Sequence, residues 1–444
     1  MAMTREGCRR HIKEHLFSLA PSAQSLSTSS SPCSLGIEQE AFPYWVDPSD
    51  GRPRPVSFQG GDGSLAPALV RASTAERGEA RYGSAGCGVL SASELLDAIT
   101  FPEGDRFTFE PGAQVEMVTA PCRGLDEVAG RLGRMQDVLH VVTEQSGIHF
   151  AQVGAQPWFD SEEVGLQVPK PRFLAMDEYF EAIGPFGRRM MRQTCSVQVN
   201  FDLGCDPERF VRRFVAASLL APFATAIFAN SPVFAGKARK QRSYRSFLWR
   251  RLDPARTGIP FPKRVSRGLR PEDLRVADLV DAYTDFALRA PVIRMENGGE
   301  PWANHLSTLF PELRPRGHVE VRSLDALPVE WQLVPAAFYC GLLFSEPHLE
   351  QALDRLLPCV PNMDDLLEKA AWGLQSDELF STAEHLMELA IEGFSSLPDD
   401  FKGNGHHETL VRFHGCFTAR RRSPADGGFS EVTHEARRRS PRSG

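Results

Sequence analysis

In LGIEQEAF, residues 35–42, acidic and apolar side chains alternate. Residues two apart on a β-strand point to the same face, so Glu38 and Glu40 share one face and Ile37 lies on the other. Three further stretches repeat the pattern. FTFEPGAQVEM, residues 107–117, aligns Glu110, Gln114 and Glu116, while TCSVQVNFD, residues 194–202, aligns Ser196, Gln198 and Asn200. GHVEVRS, residues 317–323, aligns His318, Glu320 and Arg322. The opposite faces carry Phe109, Val115, Val197, Val199, Val319 and Val321. Carboxylates are rarely gathered without cations. The pattern therefore predicts four strands of one sheet, with converging acidic faces that form a carboxylate floor. Hard divalent cations such as Mg²⁺ take oxygen ligands and bring nucleotide phosphates with them. The alternative is four unrelated strands with solvated outer faces.

Working outward, the chain has 444 residues, Lys+Arg 50 against Asp+Glu 57, and a net charge of −7, which argues against general nucleic-acid binding. Its 42% hydrophobic content can bury a sizeable core. Nine cysteines without a CxxC pair suit free thiols in a reducing cytoplasm. The longest apolar run, residues 214–229, holds Ser218, Pro222 and Thr225 and is short for a bilayer helix, so no membrane span is expected. The first twenty residues lack the apolar core of a secretory signal. Cytoplasmic localisation is the expectation.

The chain divides into an N-terminal helix and polar linker at 1–34, one catalytic domain at 35–400, and a partly disordered basic tail at 401–444 carrying ARRRSP twice. The domain is strand-rich at 35–328 and helical at 329–400. Periodicity predicts helices at 91–100, 125–146, from 176 and from 207, two or three more within 271–290, and a solvated basic loop at 237–258. No GxxxxGK[ST] or strand-linked GxGxxG occurs, so a bound nucleotide would rest on metals and basic side chains. Strands interleaved with helices, plus a long helical end, indicate an α+β fold with a mainly antiparallel sheet.

Five blocks carry a resemblance. They are LGIEQEAF at 35, FEPGAQVEMVTAP at 109, MMRQTCSVQVNFD at 190, FANSPVFAGKARKQRSYRSFLWRRLDPARTG at 228 and NHLSTLFPELRPRGHVEVRSLDALP at 304. In this order they resemble the glutamate–cysteine ligases of the plant-type and bacterial group. The resemblance implies a glutamine-synthetase-like curved sheet that forms an active-site funnel flanked by helices. It also implies ATP-dependent joining of the γ-carboxyl of L-glutamate to the α-amino group of L-cysteine, with Mg²⁺ (or Mn²⁺) as cofactor and a monomer or homodimer as the working form.

By the same resemblance, Glu38, Glu40, Glu110, Glu116, Glu320 and Gln198 would bind metal. Arg322, Arg192 and Arg245 would hold phosphate or carboxylate, for which guanidinium forks are suited. Trp249 would wall the amino-acid site. Lys170, Arg172, Gln198 and Asn200 would serve the nucleotide. For Gln114, Gln198 and Asn200 a structural hydrogen-bonding role is equally open. The first motif lacks the family's usual neighbours, and 60–103 shows no recognisable family sequence. These departures bear on the site of the second substrate. Two other readings stay open: a ligase for another amine, and a non-catalytic homologue that binds nucleotide or amino acid.

Overall fold

The computed structural model describes residues 4–18, 34–61, 63–83, 95–260, 265, 270–295 and 301–427. A ten-stranded sheet organises them. Its strands are β1 (Leu35–Val46), β2 (Pro53–Pro55), β3 (Glu79–Gly83), β4 (Leu95–Thr100), β5 (Arg106–Phe109), β6 (Val115–Val118), β7 (Ile148–Ala151), β8 (Val197–Phe201), β9 (Leu313–Pro315) and β10 (Val319–Val321). The order is β9-β10-β8-β1-β6-β5-β4-β3, and every pairing in this sheet is antiparallel. The first half of β1 pairs with β6 and β8, while its second half pairs with β2 and β7. The expected α+β architecture, with a large antiparallel sheet flanked by helices, is present.

The predicted alternation places all four acidic segments in this sheet. Ile37 pairs with Val199, and Val319 with Phe201, on the apolar side. That side joins the main core, where the Phe201 ring lies 6.2 Å from Tyr339 and 6.0 Å from Phe344. Both rings belong to the helix Val334–Phe344, every residue of which is buried. Glu38 pairs with Gln198, Glu40 with Glu116, and Glu320 with Asn200 on the polar side. Register thus turns a period-two sequence pattern into a polar floor.

Several elements differ from expectation. Residues 107–117 form a hairpin rather than one strand: the Glu110 N–H donates to Gln114 O at 3.0 Å, and Ala113 adopts φ 68° at the turn. Residues 95–100, read as the end of a helix, form β4, which reverses through Gly104 (φ +89°) into β5; residues 91–94 lie outside the described residues. A short apolar run carries too little periodicity to separate helix from strand.

The basic loop at 237–258 contains the helix Tyr244–Leu252, which the Ser243 hydroxyl caps by accepting from Ser246 N–H at 3.0 Å. Its last-turn arginines suit a helix C-terminus and reach Asp364 (Arg250, 3.5 Å) and Glu368 (Arg251). The tail also differs. Residues 406–416 form the helix His406–Cys416, with Leu410 and Phe413 buried, and Arg421 donates to Leu374 O at 2.8 Å. Within the first ARRRSP, Arg421 is anchored by that bond and Ser423 is buried while residues 419–422 are exposed, and the second lies outside the described residues. The apolar run at 214–229 forms parts of two core helices, Pro207–Leu219 and Ala221–Ile227, bent by 48°. Among the described residues no single helix is long and apolar enough to cross a membrane.

Candidate active site

The polar floor opens into a cavity of about 200 Å³. Four glutamates, Glu38, Glu40, Glu110 and Glu116, line it together with five arginines, Arg172, Arg245, Arg314, Arg316 and Arg322. Each sign comes from different elements. The acids come from β1, the turn after β5, and β6; the arginines come from the helices Pro171–Ile183 and Tyr244–Leu252 and from β9 and β10 with their flanks.

The acidic side is held by hydrogen bonds rather than by cations. Glu40 accepts from the Ser196 N–H and hydroxyl, both at 2.8 Å, and from the Gln198 amide at 3.3 Å. Glu38 accepts from the Asn200 amide at 3.1 Å, and Glu116 from the Thr108 hydroxyl. Gly112 tightens the turn that carries Glu110, because a Cβ there would sit 2.4 Å from Arg192 O. Burial, then Glu38, Glu110 and Glu40, pushes the Glu116 carboxyl well above the usual range. Burial and Glu320 likewise raise Glu38, which hydrogen-bonds to Glu116.

Burial, then Glu110, pushes Glu40 from 4.5 up to about 7. Its folded form therefore binds a proton more tightly than the unfolded chain does. Stability should fall as pH rises from 4.5 to about 7 and then level off. The difference is on the order of 3 kcal/mol. Urea unfolding across this range, without metal, is expected to show a shallower fall for Glu40→Gln. An unaltered slope would mean that Glu40 ionises freely.

Among the described residues no group of three or more His, Cys, Asp or Glu is gathered closely enough to cage a metal alone. Mg²⁺, however, commonly takes one or two carboxylates and completes its octahedron with phosphate oxygens and water. The uncompensated pairs among Glu38, Glu40, Glu110 and Glu116 suit that mode.

The cationic side is organised by Glu320, one of the residues expected to bind metal, which the structure places among arginines. Glu320 is fully buried and bonds to Arg314 at 2.7 Å, Arg316 at 3.3 Å, and Arg322. Burial opposes its ionisation, yet Arg314, Arg322 and Arg316 hold it well below the usual range. Its oxygens are taken, so it anchors the arginines. Glu320→Gln would leave those guanidiniums without their counter-charge and is expected to cost about 3–5 kcal/mol in urea unfolding. An unchanged midpoint would contradict this anchor.

Arg322 also donates to Gln198 Oε1 at 3.1 Å and lies 5.7 Å from the Trp249 ring centre, while Arg245 lies 5.0 Å from that centre on the same helix. Nε of Arg172, Arg245 and Arg322 and the indole N–H of Trp249 are buried without partners, a set of free donors around an anion-sized space. Phe310, Met190 and Met191 add an apolar part.

The structure thus gathers Glu38, Glu40, Glu110, Glu116, Gln198, Arg172, Arg245, Trp249 and Arg322 around one cavity. Asn200 stands behind Glu38 as its donor. Arg192 and Lys170 are placed elsewhere. Arg192 is paired with Asp177 at 2.5 Å and bonded to Ser161 O, and Lys170 is paired with Asp97 at 2.9 Å. Gln114 braces the turn by donating to Met191 O and Thr194 O. Sequence reading missed Arg314 and Arg316. Their spacing of two in LRPR was the available signal, and pairing of Arg314 with Glu320 puts it on the polar face.

Residues 35–388 match the model of glutamate–cysteine ligase family 2 (GCS2), and the chain belongs to that family. It is 32% identical over 321 residues to the chloroplastic glutamate–cysteine ligase of Medicago truncatula, and 31% identical to that of Arabidopsis thaliana. These alignments cover 64% of this chain and 61% and 59% of the two relatives, so the chain spans about three fifths of their length. A solved glutamate–cysteine ligase from Francisella tularensis in complex with AMP overlaps 93% of this chain and 89% of its own, at 12% identity and TM-score 0.46.

Proposed function

We propose that the chain joins the γ-carboxyl of L-glutamate to the α-amino group of L-cysteine at the expense of ATP, giving γ-glutamylcysteine for thiol biosynthesis. The observation that carries this reading is the two-sided cavity, acidic on one wall and arginine-rich on the other. A carboxylate is a poor acylating agent, and phosphorylating it brings two anions together. Mg²⁺, or Mn²⁺, bound by Glu38, Glu40, Glu110 and Glu116 would neutralise phosphate charge. Gln198 lies between this set and Arg322, bonded to Glu40 and to the guanidinium, and fixes the distance between the walls.

Arg322, Arg245, Arg172, Arg314 and Arg316 would hold the carboxylate and phosphate anions, with Trp249 donating its free indole N–H. Positioning and charge complementarity do the work, and no enzyme nucleophile is required. Attack of the cysteine amine on γ-glutamyl phosphate would then expel phosphate. The apolar part formed by Met190, Met191 and Phe310 suits an uncharged acceptor side chain. Among the described residues Cys122, Cys195, Cys205, Cys340, Cys359 and Cys416 form no disulfide, which suits a reducing compartment such as the cytoplasm. The test is phosphate release with ATP, Mg²⁺ and glutamate, screened against cysteine and other amino acids. Turnover strongest with cysteine supports the reading. Turnover only with another amine would replace cysteine as the acceptor, and ATP binding without turnover would remove the enzyme assignment.

A further inference from the structure

Asp325 is a buried carboxylate that does not line the cavity and, among the described residues, feels the Arg245 guanidinium as its main counter-charge. It accepts three hydrogen bonds: from Asn230 N–H at 2.8 Å, the Ser231 hydroxyl at 2.6 Å and the Ser243 hydroxyl at 2.8 Å. Each serine relays the charge onward. Ser231 Oγ accepts from Arg245 N–H at 3.2 Å, and Ser243 Oγ accepts from Ser246 N–H at 3.0 Å. The carboxylate is thus coupled, through two hydroxyls, to the second and third N–H groups of the helix Tyr244–Leu252. A negative charge is favoured there by the helix dipole.

That helix carries Arg245 and Trp249, four residues apart and therefore on one face, toward the cavity. The Arg245 guanidinium also donates to Arg322 O at 2.7 Å, three residues before Asp325 on the same strand-end segment. Gly154 is moulded around the carboxylate, since a Cβ there would lie 2.3 Å from Asp325 Cγ. Asp325 also pairs by its backbone with Ser196, whose side chain holds Glu40. One buried acid therefore ties the chain at 196, 230–231, 243 and 322–325.

We infer that Asp325 is a positioning residue: through Ser231 and Ser243 it sets the register of the helix that presents Arg245 and Trp249 to the bound anions. The kinetic part rests on the ligase reading above; the structural part does not. In Asp325→Asn the amide keeps one acceptor oxygen but turns an NH₂ toward three donors. The N-terminus of the helix must then move. Ser243→Ala removes one relay alone, and Ser243→Thr restores the hydroxyl.

The experiment uses the full chain with ¹⁵N-labelled tryptophan. The Trp249 indole signal is identified by its loss in Trp249→Phe. In Asp325→Asn and Ser243→Ala this signal is expected to shift while those of the other tryptophans stay. The KM for glutamate or ATP is expected to rise about 10-fold in both variants, equivalent to ~1.4 kcal/mol, with a smaller change in kcat. Ser243→Thr is expected to stay within about 2-fold of the parent, a free-energy change of less than ~0.5 kcal/mol. An unmoved Trp249 signal with unchanged KM overturns the inference, as does a uniform change of all indole signals in Ser243→Ala. If Asp325→Asn does not fold, the two Ser243 variants decide. If the parent shows no ligation, the ligase reading fails and the indole signals still decide the role of Asp325.

Discussion

Glu116→Gln is expected to leave the metal-free protein at least as stable as the parent while raising its Mg²⁺ requirement steeply. Glu116 sits among Glu38, Glu40 and Glu110, and its carboxyl is pushed up by burial and then by those neighbours. The folded state therefore favours its neutral form. The amide supplies that form permanently and keeps an oxygen for the Thr108 hydroxyl. One repulsion disappears and no partner is lost. With metal the balance reverses, because a hard cation prefers anionic oxygen. Losing an outer partner of a metal ligand already costs about 10- to 100-fold in metal affinity or activity, and losing a ligand itself should exceed that. Thermal unfolding without metal, and turnover against Mg²⁺ concentration, measure the two halves. A large stability loss with an unchanged Mg²⁺ requirement would make Glu116 a structural residue and remove the metal role of the wall it shares with Glu110.

Arg322→Lys is expected to lower turnover by roughly 10²-fold or more, the usual scale for removing one preorganised donor from a transition state. The fold should be largely retained. Arg322 performs three tasks with one planar group: it pairs with Glu320, donates to Gln198 and lies over Trp249. Lysine keeps the charge and can keep the pairing with Glu320. It cannot also span to Gln198 and stack on the indole, and its rotatable ammonium has no planar fork for carboxylate or phosphate. Glu320 would still be neutralised by Arg314 and Arg316, which is why stability should survive. Near-normal turnover with unchanged constants for glutamate and ATP would show that Arg322 serves only to neutralise Glu320.

These two residues also show how far the sequence could be read. Period-two alternation is a local property of a strand. It is enough to place Glu38, Glu40, Glu116, Gln198 and Arg322 on one face. What alternation cannot supply is the identity of the partner across the sheet. Glu320 reads like the other acids in VEVR, and only the pairing of the strands shows that its neighbour on β9 is Arg314, to which it is ion-paired. Arg192 and Lys170 have the right chemistry, and only tertiary packing reveals that Asp177 and Asp97 already occupy them. The basic stretch at 237–258 looks like a loop by its charge and contains a helix by its spacing. Tyr244, Leu248, Trp249 and Leu252 are all buried, and their spacing is helical. Asp325 gave no signal at all. A single acid after a strand carries no period, and its partners lie about 80 to 95 residues away.

The most direct test follows oxygen. In the proposed reaction the arginine wall and the acidic wall together promote transfer of the γ-phosphoryl group of ATP to the γ-carboxylate of glutamate. Glutamate labelled with ¹⁸O in that carboxylate, incubated with the protein, Mg²⁺-ATP and cysteine, is expected to release phosphate carrying one labelled oxygen, alongside γ-glutamylcysteine. Phosphate released without label while the peptide forms would mean that no acyl phosphate is made and would contradict the account.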